Sequence, residues 1–341
     1  MDVEAGPGSP EKRFAALPQA AGSKSRVVGP GNAPTRYLSP LRYPGAKSAL
    51  VRRIKEIMSA NALRPAVFLE PFAGGAATTL RLLVDGVVPH ALIADADPLV
   101  SNFWIAAAKR PEWLVERMLD EPVTLERWDY WRGYSASSPD DPELAVKCLF
   151  LNRTTFSGIL HGRAGPIGGR KQESEYKINC RFNKPALAER IRLVGSLYES
   201  GKLLDVWRQD WKATFEKFAS TYGKYGSDDV VSYLDPPYVD KAARLYTTAF
   251  GDFDHKQLAE YLNTSPKYRW VLSYDDHPDI RELYGSATIK PEDSTAPRWR
   301  IQRRLVQLLY SASGSTGRGL KSELIISTLP KFPAGEDFKD L

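Results

Sequence analysis

The sequence predicts an α/β fold, a mostly parallel sheet wrapped by helices and closed by an antiparallel last strand. Three observations carry that reading. From about residue 38 onward, short apolar and β-branched runs alternate with helix-like stretches. Each run ends at a Gly, Pro, Asp or polar turn. The last two runs are joined by the Ser- and Gly-rich stretch Ser311 to Gly319, which reads as a long hairpin.

In chain order, residues 1–38 are rich in Pro and Gly and lack apolar periodicity, so they read as a disordered tail. The strands are Ala66 to Glu70, Ala91 to Ala94, Leu203 to Val206, Val230 to Leu234 and Arg269 to Ser273, followed by the hairpin Arg303 to Tyr310 and Glu323 to Ser327. An apolar helix follows the first strand over Ala76 to Val84. The gap between the second and third strands is too long for one crossover helix. Helices over Leu99 to Lys109, Glu112 to Leu119 and Glu143 to Phe150, and the Gly-rich basic stretch Asn152 to Lys184, fill it as an insert packed beside the sheet. The expected division is a tail over 1–38, a domain made of 39–110 and 200–330, an insert over 111–199, and a C-terminal tail over 331–341.

Composition narrows the function classes. The 341 residues are 43% hydrophobic, 26% charged and 11% aromatic, which excludes a wholly disordered chain, a collagen and a coiled coil. Two cysteines and four histidines supply neither a disulfide framework nor a four-ligand zinc site, so no metal is expected. No apolar run reaches about 18 residues, and the first thirty residues lack the apolar core of a signal peptide. A cytoplasmic protein that does not engage a membrane is the expectation.

The net charge of +6 is modest, but it is unevenly placed. Between Asn152 and Lys184 seven basic residues face only Glu173 and Glu175. Between Arg298 and Lys321 there are six basic residues and no acid. The rest of the chain is therefore acidic on balance, and two basic segments on an acidic body form the footprint of a polyanion partner. Because neighbouring strand residues face opposite sides, Arg303 and Arg304 cannot both serve it.

Three motifs carry chemistry. In Phe68 to Ala77, a strand runs into Phe72-Ala73-Gly74-Gly75 and then a helix, so that the backbone can approach a ligand and free N–H groups face it. Neither G-x-G-x-x-G nor G-x-x-x-x-G-K-[ST] is present, which argues against a dinucleotide or a P-loop phosphate. Asp95, at the end of the next strand and about 20 residues on, is placed to accept both hydroxyls of a ribose and is favoured for this over Asp97; the alternative for either acid is a turn aspartate that caps the helix beginning near Pro98. The strongest motif is Asp235-Pro236-Pro237-Tyr238, directly after a buried strand. The prolines hold the acid extended at the sheet edge. The acid, the outward carbonyls and the tyrosine ring form a site for a planar base with an exocyclic amine.

Taken together, Arg42-Tyr43-Pro44-Gly45-Ala46-Lys47, Pro71 to Gly75, Asp95, an insert, Asp210 and Asp235 to Tyr238 resemble the Dam-like, alpha-order class of S-adenosylmethionine-dependent DNA adenine methyltransferases. The likeness runs from about residue 38 to 329 and takes in Leu151-Asn152-Arg153 and Phe156-Ser157-Gly158. It implies a Rossmann-like class I methyltransferase sheet with a target-recognition insert. It also implies that Tyr43, Gly45 and Lys47 close over the methionine end of the cofactor, above Phe72, Ala73, Gly74 and Gly75. Asp95 would hold the ribose, and Asp210, with Trp211 beside it, the cofactor's adenine. Asp235, Pro236, Pro237 and Tyr238 would grip a flipped-out adenine. Phe156, Ser157, Ile159 and His161 fall in the segment that the family uses to wedge into the duplex, with Arg42 and Asn152 beside it as DNA contacts. The Gly-rich loop Arg163 to Arg170 is not part of the family pattern; Arg153, Arg163 and Arg170 are expected to contact DNA because they lie on the basic segment. His161 departs from the pattern, since an arginine often stands there to bind O6 and N7 of guanine and histidine cannot do so bidentately. A GATC target is therefore not implied.

The resemblance implies a site-specific enzyme that methylates adenine N6 in double-stranded DNA. It would act as a monomer or weak dimer in a bacterial or phage-type cytoplasm, associated with the nucleoid, within a restriction-modification setting that includes a cognate restriction enzyme. Methylation of cytosine N4 uses the same geometry and stays as an alternative, as does a DNA-binding module that keeps the cofactor site without turnover. A glutamine-directed protein methyltransferase would more naturally carry Asn at 235.

Overall fold

The computed structural model describes residues 37–42, 47–237, 250–264, 266–285, 288–293, 297–310, 319–334 and 337–341. Almost all of the expected N-terminal tail, and the expected site residues Tyr43, Gly45 and Tyr238, lie outside these.

The main sheet has eight strands in the order β10-β8-β9-β5-β4-β1-β2-β3. β1 (Val67–Glu70), β2 (His90–Asp95), β3 (Leu203–Arg208), β4 (Val230–Leu234) and β5 (Arg269–Asp275) run parallel. β9 (Gly319–Ser327) is antiparallel to β5 and forms a nine-residue hairpin ladder with β8 (Gln302–Tyr310). A small second sheet pairs β6 (Thr288–Ile289) with β7 (Trp299–Arg300). The α/β class, the parallel strands and the antiparallel closing hairpin are as the sequence pattern requires.

The central strands β1, β2, β4 and β5 are buried on both faces, and the period-2 alternation divides the side chains of the sheet between two cores. Phe68, Ile93, Tyr233, Val271 and Ile325 face one core, whereas Leu69, Leu92, Leu234, Leu272 and Ile326 face the other. The first core is covered by α1 (Lys47–Ala60), α2 (Ala77–Val84), α3 (Pro98–Lys109), α4 (Pro111–Asp120), α5 (Leu125–Gly133), α6 (Glu143–Thr154) and α7 (Lys184–Glu199). The second is covered by α8 (Trp211–Thr221), α9 (Asp252–Thr264) and α10 (Pro278–Leu283).

The insert lies against the sheet: Leu114, Val146, Leu149 and Ile191 share one continuous core with Phe68 and Ile93. Its last element, the sixteen-residue α7, begins at an Asn183 cap whose side chain accepts from the Ala186 N–H, with Pro185 in the first turn. The C-terminal segment departs from the tail reading. β10 (Phe338–Asp340) pairs antiparallel with β8, because Phe338 is buried against Phe332 and the β8 edge offers unpaired backbone groups.

Candidate active site

β1 and β4 are adjacent, and from them the chain winds outward in both directions, through β2 and β3 on one side and β5 on the other. Such a reversal leaves a crevice at the carboxyl ends of the strands. The predicted residues at the ends of β1, β2 and β4 border it.

On the β1 side, Gly74 (φ 45°) and Ala76 (φ 44°) take left-handed conformations that fold the turn tightly before α2. Three contacts hold this turn. The Ala73 N–H donates to the Ala94 carbonyl at 2.9 Å. The Gly74 N–H donates to the Asp95 carboxylate at 2.8 Å. The buried Trp104 indole donates to the Gly74 carbonyl at 2.8 Å. Behind the turn, the buried Glu70 carboxylate accepts from the Thr79 hydroxyl and from its N–H. The other Asp95 oxygen accepts from the Asp97 N–H at 2.9 Å, and Asp97 caps α3 by accepting from Leu99 N–H. Asp95 thus ties the Gly-rich turn to the end of β2.

On the β4 side, Asp235 is 4% exposed and follows a fully buried strand. Next to it Tyr233 shares a 3.0 Å hydrogen bond with Ser273. Burial, reinforced by the Asp235 charge, pushes the Tyr233 phenol well above its ordinary value, so it stays a neutral hydroxyl. Phe72 meets Phe250 edge-on at 5.7 Å, and Phe250 meets the His255 ring at 4.7 Å. His255 in turn shares a 2.7 Å hydrogen bond with Tyr274. This aromatic chain joins α9 to the Gly-rich turn.

Asp210 is exposed and caps α8, accepting from Ala213 N–H at 2.8 Å. Trp211 is buried and packs on Tyr261 at 5.5 Å. Lys47 opens α1.

The insert brings a closed loop beside this crevice. Residues 154–167 fold back on themselves through a Thr155–Pro166 bridge, a bond from the Phe156 N–H to the Gly165 carbonyl, and one from the Ile167 N–H to the Thr154 carbonyl. Phe156 stands 54% exposed on it. Ser157 takes φ 56° and Ile159 is half-buried. The far end is held by Arg132, which donates to the carbonyls of Leu160 and Gly162 at 3.0 and 2.5 Å. His161 sits 2.5 Å from the Asp97 carboxylate, which links this loop to the end of β2. Arg163 is exposed; Arg170 pairs with Asp129 and lies over the Trp128 ring.

Asn152 and Arg153 require a correction, because neither side chain faces outward. Asn152 is fully buried, accepts from the Arg42 N–H at 2.6 Å and donates to the carbonyls of Arg42 and Gly158. Arg153 is buried and its guanidinium donates to the Pro40 carbonyl. The Asn152 amide is held by backbone groups and Arg153 donates inward to the Pro40 carbonyl, so neither is placed as a surface contact to DNA.

Residues 43–296 match the family described as D12 class N6 adenine-specific DNA methyltransferase. The chain belongs to this family. The methyltransferase is also similar to the type II methyltransferase M.CviBI of Paramecium bursaria Chlorella virus NC1A, at 22% identity over 252 residues that cover 72% of this chain and 85% of the relative. Among solved structures it is similar to the rRNA methyltransferase aviRa of Streptomyces viridochromogenes. That likeness has 16% identity and a TM-score of 0.31 over 82% of this chain and 85% of the other.

Several residues that shape the methyltransferase's site carry no signal in the sequence. Glu70, Trp104, Arg132 and His255 act through contacts with residues distant in sequence or already folded. Among the described residues no group of three or more His, Cys, Asp or Glu is arranged to hold a metal, and no helix is long and apolar enough to cross a membrane.

Proposed function

We propose that this adenine-specific enzyme takes the methyl group from S-adenosylmethionine and delivers it to N6 of an adenine rotated out of double-stranded DNA. The observation that carries the reading is Asp235, a carboxylate buried at the end of β4, across the chain reversal from the Gly74 turn after β1.

The residues fit the cofactor chemically. Asp95 offers acceptor oxygens for ribose hydroxyls, the Gly74 turn allows close backbone approach, and Asp210 binds Ala213 N–H through one carboxylate oxygen, leaving the acceptor capacity of the other for an amino group. When bound, S-adenosylmethionine supplies an electrophilic methyl on a sulfonium.

The protein's part is to make the amine nucleophilic and to hold it still. The adenine amino lone pair is delocalised into the ring. Asp235 and the Pro236 carbonyl accept the two amino hydrogens, which draws the nitrogen toward a tetrahedral form and localises the pair. Tyr238 supplies the stacking face for the base, and Phe156 fills the gap left in the duplex. Positioning and fixed charge carry most of the rate.

The type II name of the viral relative supports a fixed target sequence. A cognate restriction enzyme, action as a monomer or weak dimer, and a nucleoid-associated place in the cytoplasm complete the reading. Its test is incubation with labelled cofactor and duplex DNA followed by nucleoside analysis: N6-methyladenine is expected, and N4-methylcytosine or no product overturns it.

Two variants test the parts separately. Asp95→Ala removes an acceptor for the ribose and the tie on Gly74, so cofactor affinity falls about 10- to 100-fold by calorimetry, with binding of duplex DNA retained. Phe156→Ala weakens binding to duplex by about 1–3 kcal/mol, the worth of one aromatic–base stack. It also reduces the fluorescence rise of a 2-aminopurine placed at the target position.

A further inference from the structure

Most arginines of the described chain that approach acids are paired with them, as Arg52 is with Glu56, Arg117 with Glu143, Arg127 with Glu121, Arg192 with Glu112 and Arg281 with Asp276. Four others are arranged differently. Arg42, Arg153, Arg181 and Arg190 converge around the segment Ser39–Arg42, and none of them forms an ion pair with a carboxylate among the described residues. Arg153 is held on the Pro40 carbonyl, and Arg190 reaches the Ser39 carbonyl at 3.4 Å. Arg181 is exposed, two residues before the Asn183 cap of α7, and Arg42 and Arg190 are half-buried.

The four charges act on one another. Burial, and then the positive charges of Arg190, Arg42 and Arg181, pull the Arg153 guanidinium down to about 9. Burial and Arg181 lower Arg42. The opposing charges felt here are weak ones, Glu189 on Arg190 and the Cys180 thiol beside Arg42. Burying like charges together disfavours folding, and an anion placed among them would relieve the repulsion. Three of these side chains reach solvent, so an anion can arrive.

We propose that Arg42, Arg181 and Arg190, with the buried Arg153 behind them, form a phosphate site outside the catalytic crevice that takes a phosphodiester of the DNA backbone. The inference rests on DNA being the substrate. Arginine suits it because its planar fork binds phosphate oxygens in pairs. Arg42 leads directly into the 43–47 segment. A phosphate on the cluster would therefore tether DNA next to that segment.

The test uses the full chain with Arg181→Gln and with Arg181→Gln/Arg190→Gln. Inorganic pyrophosphate, a probe for the bare site, should raise the unfolding midpoint of the wild type and raise that of the double variant less. An equal rise in both, or none in the wild type, overturns the anion site whatever the substrate is. Without any anion, the Arg181→Gln midpoint should equal or exceed the wild type, since a repelling charge is gone; a lower midpoint overturns the claim of unrelieved repulsion. For duplex DNA of several sequences, the slope of log affinity against log salt should flatten by about 0.9 for each phosphate that the variant no longer neutralises. Arg181→Lys should restore part of it. Unchanged slopes overturn the assignment to a DNA phosphate. If the wild type responds to pyrophosphate yet neither binds nor methylates duplex DNA, it is the DNA reading that fails, and the phosphodiester assignment with it.

Discussion

Asp235→Ala abolishes methyl transfer while leaving the cofactor bound. The expected loss is about 10²- to 10⁴-fold in turnover, the range for removing a positioned proton acceptor or one fixed electrostatic contact to the reacting centre. Incorporation of tritiated methyl groups into duplex DNA reads it directly. Asp235→Asn should fare little better, because its amide places donors against the donors of the adenine amine. Retained cofactor binding by the variant, measured by calorimetry beside its unfolding midpoint, separates loss of chemistry from loss of fold. Methyl transfer that survived Asp235→Ala would overturn the catalytic assignment.

Asn152→Ala should cost stability instead, by about 3 kcal/mol or more. Three backbone groups lose their partner at once: the Arg42 N–H, the Arg42 carbonyl and the Gly158 carbonyl. Each buried group left unsatisfied costs about 1–3 kcal/mol. In a chain of this size that is a drop of about 4 °C or more in thermal midpoint, measurable by calorimetry. Gly158→Ala should act on the same contact from the other side. Gly158 has φ +75°, and an added Cβ would stand 2.8 Å from the Arg42 carbonyl. Both variants loosen the join between the 154–167 loop and the Ser39–Arg42 segment, so on the proposed function both should also weaken DNA binding. A wild-type midpoint for Asn152→Ala would show that the join is not needed for folding.

These two residues also mark where sequence reasoning succeeded and where it stopped. Asp235 was legible because its neighbours are prolines and the run before it is apolar apart from Ser232, so its place at a strand end followed from local geometry. The parallel strands were legible for the same reason, since strands buried on both faces read as continuous apolar runs. Asn152 and Arg153 were legible only as polar residues on a basic segment, which suggests a surface. Their burial depends on carbonyls of Pro40 and Arg42, more than a hundred residues earlier. The same limit hid Trp104, whose indole holds the Gly74 turn, and β10, whose three residues form a strand only because β8 presents an open edge. The long helix α7 lies in a stretch whose charges are more conspicuous than its apolar spacing.

The central pairing of the sheet joins Val67 of β1 to Val230 of β4. On a ribosome, β1 therefore emerges long before its inner partner has been synthesised. Until then it has only β2 beside it and the helices α1–α8 to lie against, with its other edge open. The crevice does not exist during that interval, because one of its walls is still to be translated. Assembly of the active site and closure of the sheet's centre are thus the same late event, and the nascent chain up to β4 carries an exposed strand edge that invites chaperones or aggregation.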